Sequence, residues 1–204
     1  MLQKILLFAL SLLLQTPISS QTEPAAVMPN ELPYREIPDY PESFTPETVV
    51  ARTIDGVGFR FYWATEGLRP EDLTFRPTPE ARSSEETIDH ILGLSNLILN
   101  GVKNQPNIRS GEETSPLSFE VKRRMVLGNL ETASNLLKQS GDKLEEMKII
   151  FKNGDNESEF PFWNMLNGPI GDALWHTGQV VTFRRSSGNP FNGKASVFMG
   201  KVRE

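Results

Sequence analysis

Four stretches of the chain repeat apolar residues at alternating intervals of three and four, a period that commits them to helices before any other property is considered. The first, residues 47–68, carries Val50, Ile54, Val57, Phe61, Ala64 and Leu68 on one stripe. In the second, Ser83 or Ser84 can cap the helix, Glu86 or Thr87 falls in its first turn, and residues 88–99 form a wide apolar arc that includes Ile88, Ile91, Leu94 and Ile98. The third begins near Ser118 and ends near Ser140-Gly141, with Phe119, Val126, Leu130, Ala133 and Leu137 on its stripe and Lys122 as a polar exception. The fourth opens with Pro169 at a first helical position. It packs through Ile170, Ala173, Leu174, Thr177, Val180 and Val181, and it stops at Gly188-Asn189-Pro190. Strand signals are weak: residues 147–151 read as a short extended run ahead of the turn signal Asn153-Gly154-Asp155-Asn156. The pattern predicts an all-α fold, a four-helix bundle with long connections that include residues 69–82 and 103–116.

The segment ahead of the helices reads as an address followed by an arm. Lys4 precedes an apolar run over residues 5–14, and small and polar residues lead to Ser19-Ser20-Gln21. That is the layout of a secretory signal peptide over residues 1–20, which predicts an exported protein, periplasmic or secreted. The run is about half of the roughly twenty apolar residues that a membrane span needs, so no stable span is expected after cleavage. Residues 21–45 form a Pro-rich arm, in which Pro24, Pro29, Pro33, Pro38 and Pro41, with Pro46 just beyond, prevent a continuous helix. Tyr34, Ile37, Tyr40 and Phe44 are its candidate anchors to the helical domain at residues 46–204.

Composition narrows the chemistry. The 204 residues include no cysteine, which excludes disulfides, thiolate zinc sites and a cysteine nucleophile. Lys+Arg total 21 against 26 Asp+Glu, a net charge of −5 without a basic block, so nucleic acid is not an expected partner. No glycines form a phosphate loop and no serine stands in a nucleophile elbow. Two histidines remain, His90 and His176.

On the last helix Asp172, His176, Gln179 and Phe183 share a stripe at the edge of the apolar face, with Asp172 and His176 about 5–6 Å apart at Cβ. His90 occupies the corresponding edge of the second helix. Packed together, these edges would offer two imidazoles and one carboxylate to a divalent ion and leave positions open for water or substrate. Spacing alone leaves another reading open, of hydrogen-bonded core histidines and a first-turn acid favoured by the helix dipole. Glu86, four residues before His90, is a candidate general base or further ligand, or a solvated first-turn acid. Gln179 is placed to orient a ligand or a bound water, or to make an interhelical hydrogen bond. Trp163, Trp175, Phe160, Phe162 and Phe183 would wall a substrate pocket or fill the core. Arg184 and Arg185 would attract an anionic substrate or complement the helix dipole.

The segment Asp172-Ala173-Leu174-Trp175-His176-Thr177-Gly178-Gln179-Val180-Val181-Thr182-Phe183-Arg184-Arg185 resembles the last-helix signature of the DinB/YfiT-like superfamily, in which a metal-binding histidine precedes Gly-Gln and an Arg-bearing helix end. Leu68-Arg69-Pro70-Glu71-Asp72-Leu73-Thr74-Phe75-Arg76-Pro77, followed by Glu85-Glu86-Thr87-Ile88-Asp89-His90-Ile91, is similar to that family's first connection and second helix. The resemblance covers residues 46–190. It implies a four-helix bundle that holds one divalent transition metal, zinc, nickel, iron or manganese, through three histidines. By position, His90 and His176 are two of them, and Asp172 stands where the family has the third. Aspartate also ligates these metals, but the departure is equally what a lost site would show. The implied activity is that of a metal-dependent hydrolase or transferase acting on an unknown small molecule. The alternative is a non-catalytic metal- or ligand-binding or structural protein with a degenerate site. Relatives of this kind often pair through exposed apolar helix faces, which makes a homodimer an expectation.

Overall fold

The computed structural model describes residues 31–108 and 117–204. The signal peptide predicted over residues 1–20 and the first part of the predicted arm lie outside the described residues. Four long helices dominate: α1 (Pro46–Thr65), α3 (Ser84–Val102), α4 (Phe119–Gln139) and α6 (Gly171–Ser186), with the short α2 (Pro70–Thr74) and the single turn α5 (Trp163–Met165) between them. The fold is mainly helical, as the periodicity predicts. α1 and α3 each pack against both α4 and α6, so the four long helices close a ring around one apolar core.

Local chemistry sets the helix ends. Thr45 and Thr48 form a reciprocal capping box at the start of α1, with Pro46 at its first position. Ser83 and Glu86 do the same for α3, and Ser118 caps α4. α1 ends at Thr65 rather than at Leu68, and Gly67 turns the chain away at φ +68°. Within the connection 69–82, Pro70 opens α2. α6 is reached through a kinked turn, Leu166–Ile170, where Gly168 departs from helical geometry (φ −86°, ψ −109°). The helix ends on Gly188 at φ +84°.

Most predicted stripe positions are buried; Leu68, Phe119 and Val181 are partly buried, and Leu174 is exposed instead because it faces away from the core on α6. Val50, Ile54, Val57, Phe61 and Ala64 of α1, Ile88, Ile91, Leu94 and Ile98 of α3, Val126, Leu130, Ala133 and Leu137 of α4, and Ala173, Thr177 and Val180 of α6 are all buried. Phe59, Tyr62 and Trp63 are buried as well, because α1 is covered by α4, α6 and the arm on different sides. Lys122, the polar exception, is buried with its ammonium on Glu85 (3.0 Å) and Asp89 (2.7 Å).

Strands modify the all-α expectation. β2 (Lys148–Asn153) and β3 (Asn156–Pro161) form an antiparallel hairpin around the predicted turn, where Gly154 takes φ +58°, and β1 (Pro106–Ile108) pairs parallel to β2. A second small pair joins β4 (Ala195–Ser196) and β5 (Lys201–Val202). β3 is exposed along its whole length and carries no apolar alternation, so periodicity could not reveal it; the turn creates the strand.

The arm is pinned by two of its four candidate anchors. Tyr34, in the left-handed region at φ +71°, is buried and donates its hydroxyl to Asp55 Oδ1 (3.0 Å), and Lys138 Nζ holds Asp55 Oδ2 (2.8 Å). Burial, reinforced by the Asp55 charge, pushes the Tyr34 hydroxyl pKa well above its usual value. Ile37 is buried and its N–H donates to Gly200 O (2.8 Å), tying the arm to the carboxyl-terminal tail. Tyr40 and Phe44 are exposed instead, and Tyr40 sits under the Arg52 guanidinium. A Cβ on Gly58 would meet the Tyr34 ring at 2.5 Å. Gly58→Ala is therefore expected to cost about 1–3 kcal/mol by overpacking, read as a lowered midpoint in urea unfolding.

Candidate metal centre

α3 and α6 pack side by side, and that contact carries His90 to the pair formed by Asp172 and His176, 82 residues along the chain. His90 Nε2 lies 3.1 Å from Asp172 Oδ2, and His176 Nε2 lies 3.3 Å from Asp172 Oδ1, so each carboxylate oxygen faces a different imidazole. The two rings stand edge to face, 4.6 Å between centroids and 88° between planes. One ligand atom from each of the three residues lies within 4.8 Å of the others, and the group can hold a metal ion. Bonds of roughly 2.0–2.2 Å place tetrahedral ligand atoms about 3.3–3.6 Å apart, close to the two nitrogen–oxygen separations. Two imidazole nitrogens and a carboxylate suit zinc, iron, manganese or nickel and are a poor match to calcium, which takes six to eight oxygens.

Gln179 completes the arrangement. Its Oε1 is 2.7 Å from His176 Nδ1, and a carbonyl oxygen only accepts, so Nδ1 is the protonated nitrogen. That hydrogen bond fixes the ring and turns the other nitrogen, Nε2, toward Asp172. His176 Nε2 thus faces a carboxylate oxygen 3.3 Å away, an arrangement that is favourable with a proton or a metal ion between them. The position three residues after His176, one helical turn on, was legible in the sequence.

Glu86 does not join the cluster. Arg76 binds both of its carboxylate oxygens (2.7 and 2.6 Å) and the Ser83 N–H donates to it (2.8 Å), and the Arg76 guanidinium holds its carboxyl below the usual range. The pattern Ser83-x-x-Glu86 is itself a capping-box signature, and it outweighs proximity to His90.

The aromatics divide. Phe162 is buried, whereas Trp163 and Trp175 are 77% and 70% exposed. The Trp175 ring lies nearly parallel to that of His176 (12°, 6.3 Å between centroids), so it borders the cluster from the solvent side.

Arg184 is the residue whose role the sequence least revealed. It is 3% exposed and its guanidinium is spent on backbone carbonyls: Nη1 donates to Trp63 O (3.1 Å), Ala64 O (3.0 Å) and Glu66 O (2.9 Å), and Nε donates to Asn189 O (2.7 Å). The three acceptors of Nη1 are carbonyls at the end of α1, a helix with no basic residue of its own in its last turn. Beside it, buried Asp72 accepts from Arg69, Ser187 and Asn189, and Arg69 first among them holds its carboxyl well below the usual range against the opposing effect of burial.

Comparison of the chain with family models, curated proteins and solved structures gives no match.

Proposed function

We propose that the chain is an exported DinB-like four-helix bundle that binds one divalent transition metal ion through His90, Asp172 and His176 and acts as a metal-dependent hydrolase or transferase on a small molecule. The observation that carries the reading is the pairing of Gln179 with His176 Nδ1, which turns Nε2 into the same space as Asp172 and His90. A hydrogen-bonded outer partner of this kind is the usual companion of a metal-ligating imidazole. The ring of four long helices and the edge positions of the histidines agree with the resemblance noted in the sequence. The ion supplies Lewis acidity when bound. His90 and His176 supply neutral nitrogen ligands, Asp172 supplies charge, and Trp175 limits the approach of solvent over His176. Three protein ligands leave further positions for substrate.

A second reading, a metal-binding protein without turnover, is favoured by one observation. Glu86, the acid nearest His90 in sequence, is committed to Arg76 and cannot serve as a general base without leaving it.

Protein purified without a histidine tag is expected to contain close to one equivalent of transition metal by plasma mass spectrometry. After chelation, metal restored at a hundredfold excess over Kd should add about 2.7 kcal/mol of stability. For a domain of this size that raises Tm by roughly 5–10 °C. Less than about a tenth of an equivalent, with no shift in Tm on adding zinc, nickel, iron or manganese, would sink both readings, because a site that binds the folded state must stabilise it.

A further inference from the structure

The metal reading leaves unused a groove between α1 and α6, on the other side of α6. Its volume is about 380 Å³, within the roughly 300–1,000 Å³ of small-molecule sites. α1 contributes Phe59 and Trp63, α6 contributes Leu174 and Val181, and the carboxyl-terminal tail contributes Phe191 and Val197. Arg60 and Arg185 stand in these apolar walls, and no lining residue is acidic.

Neither arginine forms an ion pair among the described residues. Arg60 is half-buried and donates to one backbone carbonyl, Gly56 O (2.8 Å); burial holds its pKa below the ordinary value. Arg185 lies over the Phe191 ring, 5.4 Å from its centroid, and so is held at the groove. The Arg60 guanidinium, partly withdrawn from water and without a carboxylate, is left with donors and charge that an incoming anion satisfies, and exposed Arg185 stands at the rim to share that anion. Helical winding of about 100° per residue puts Leu174, Val181 and Arg185 on the side of α6 opposite Asp172 and His176. The groove and the metal cluster are therefore separate sites.

We propose that this groove binds a small amphipathic monoanion, an alkyl or aryl carboxylate whose apolar body lies against Leu174, Val181 and Phe191 and whose carboxylate is held by Arg60 and Arg185. The apolar walls alone would accept any hydrocarbon, and the arginines alone any anion; the two together select a molecule with both.

The test is calorimetric titration of the full chain with octanoate, with octan-1-ol and acetate as the two half-ligands. Octanoate is expected to bind with Kd below about 1 mM and at least about tenfold tighter than either control. Arg60→Gln and Arg185→Gln should each weaken it about tenfold or more, with metal content unchanged. Arg185 is exposed and its variant is expected to fold; circular dichroism checks Arg60→Gln, and Arg185→Gln decides alone if that variant is unfolded. Equal affinity for octanoate and octan-1-ol overturns the proposal, as does undiminished binding by Arg185→Gln. Loss of octanoate binding in His176→Ala also overturns it, because the site would then not be separate from the cluster.

Discussion

Replacing Arg184 by methionine is expected to cost about 3–5 kcal/mol, because several carbonyls lose a charge-assisted donor together and each buried acceptor left unpaired costs about 1–3 kcal/mol. For a domain of this length that lowers Tm by roughly 6–20 °C. The methylene stem is kept, so the loss is in the polar head. Its Nη1 serves three carbonyls at the end of α1, and its Nε and Nη2 serve the backbone and side chain of Asn189. Each carbonyl left without a partner in that buried corner loses a charge-assisted hydrogen bond and regains water only by opening the α1–α6 contact. Arg123 of α4 reaches the same end of α1, donating to Thr65 Oγ1 (2.9 Å) and Tyr62 O (3.2 Å), and cannot replace Arg184 because it approaches from the other side. Arg185→Met is the control: the neighbouring exposed arginine should change stability by no more than about 0.5 kcal/mol. A Tm shift below about 2 °C for Arg184→Met in differential scanning calorimetry would refute the assignment.

That contrast between adjacent arginines marks the limit of what was legible in the sequence. Periodicity located the four long helices because a helix must bury a stripe to be stable, and the stripe is a local property. The capping residues Thr45, Ser83 and Ser118 are local as well. The corner that joins α1, α2 and α6 is not local. Asp72 finds Ser187 and Asn189 at separations of 115 and 117 residues, and Arg184 finds Glu66 at 118, so nothing in the neighbourhood of either residue announces the pairing. Such buried charges are visible only as polar residues at positions where a periodic pattern has no reason to place them. Lys122 stands out in that way, and Asp72, in a five-residue helix with no stripe, does not.

The candidate metal centre was legible for a different reason, scarcity. With two histidines and no cysteine in the chain, a nitrogen-containing ligand set has one composition, and the i, i+4 spacing supplied its carboxylate. What spacing could not supply was direction. The sequence places Glu86 four residues before one histidine and Gln179 three residues after the other, each about one helical turn away; the structure turns Gln179 onto His176 and turns Glu86 away to Arg76. The deciding factor is a competing partner, since a first-turn glutamate with a serine three residues before it is already engaged in capping.

His176→Ala is expected to weaken metal binding by more than about a hundredfold, beyond the 10–100-fold that loss of an outer hydrogen-bond partner costs. It removes the nitrogen that Gln179 orients, and the two ligands left, His90 Nε2 and Asp172, come from different helices and offer no neighbouring pair on one helix. Gln179→Ala should fall within that 10–100-fold range, because it leaves every ligand in place but frees the ring to rotate. Asp172→His is the sharper variant. At the i−4 position from His176 a third imidazole points into the same space, and three histidines form a competent set for zinc or nickel, so binding should be kept or strengthened. If the cluster is held by protons alone, Asp172→His gives the reverse: three imidazoles without the bridging carboxylate repel when charged, and the protein loses stability as pH falls with no gain in metal affinity. Competition with a chromophoric chelator across the four proteins separates the two cases. A ranking with Asp172→His at or above the native chain, Gln179→Ala below it and His176→Ala lowest follows only if the three side chains converge on one ion.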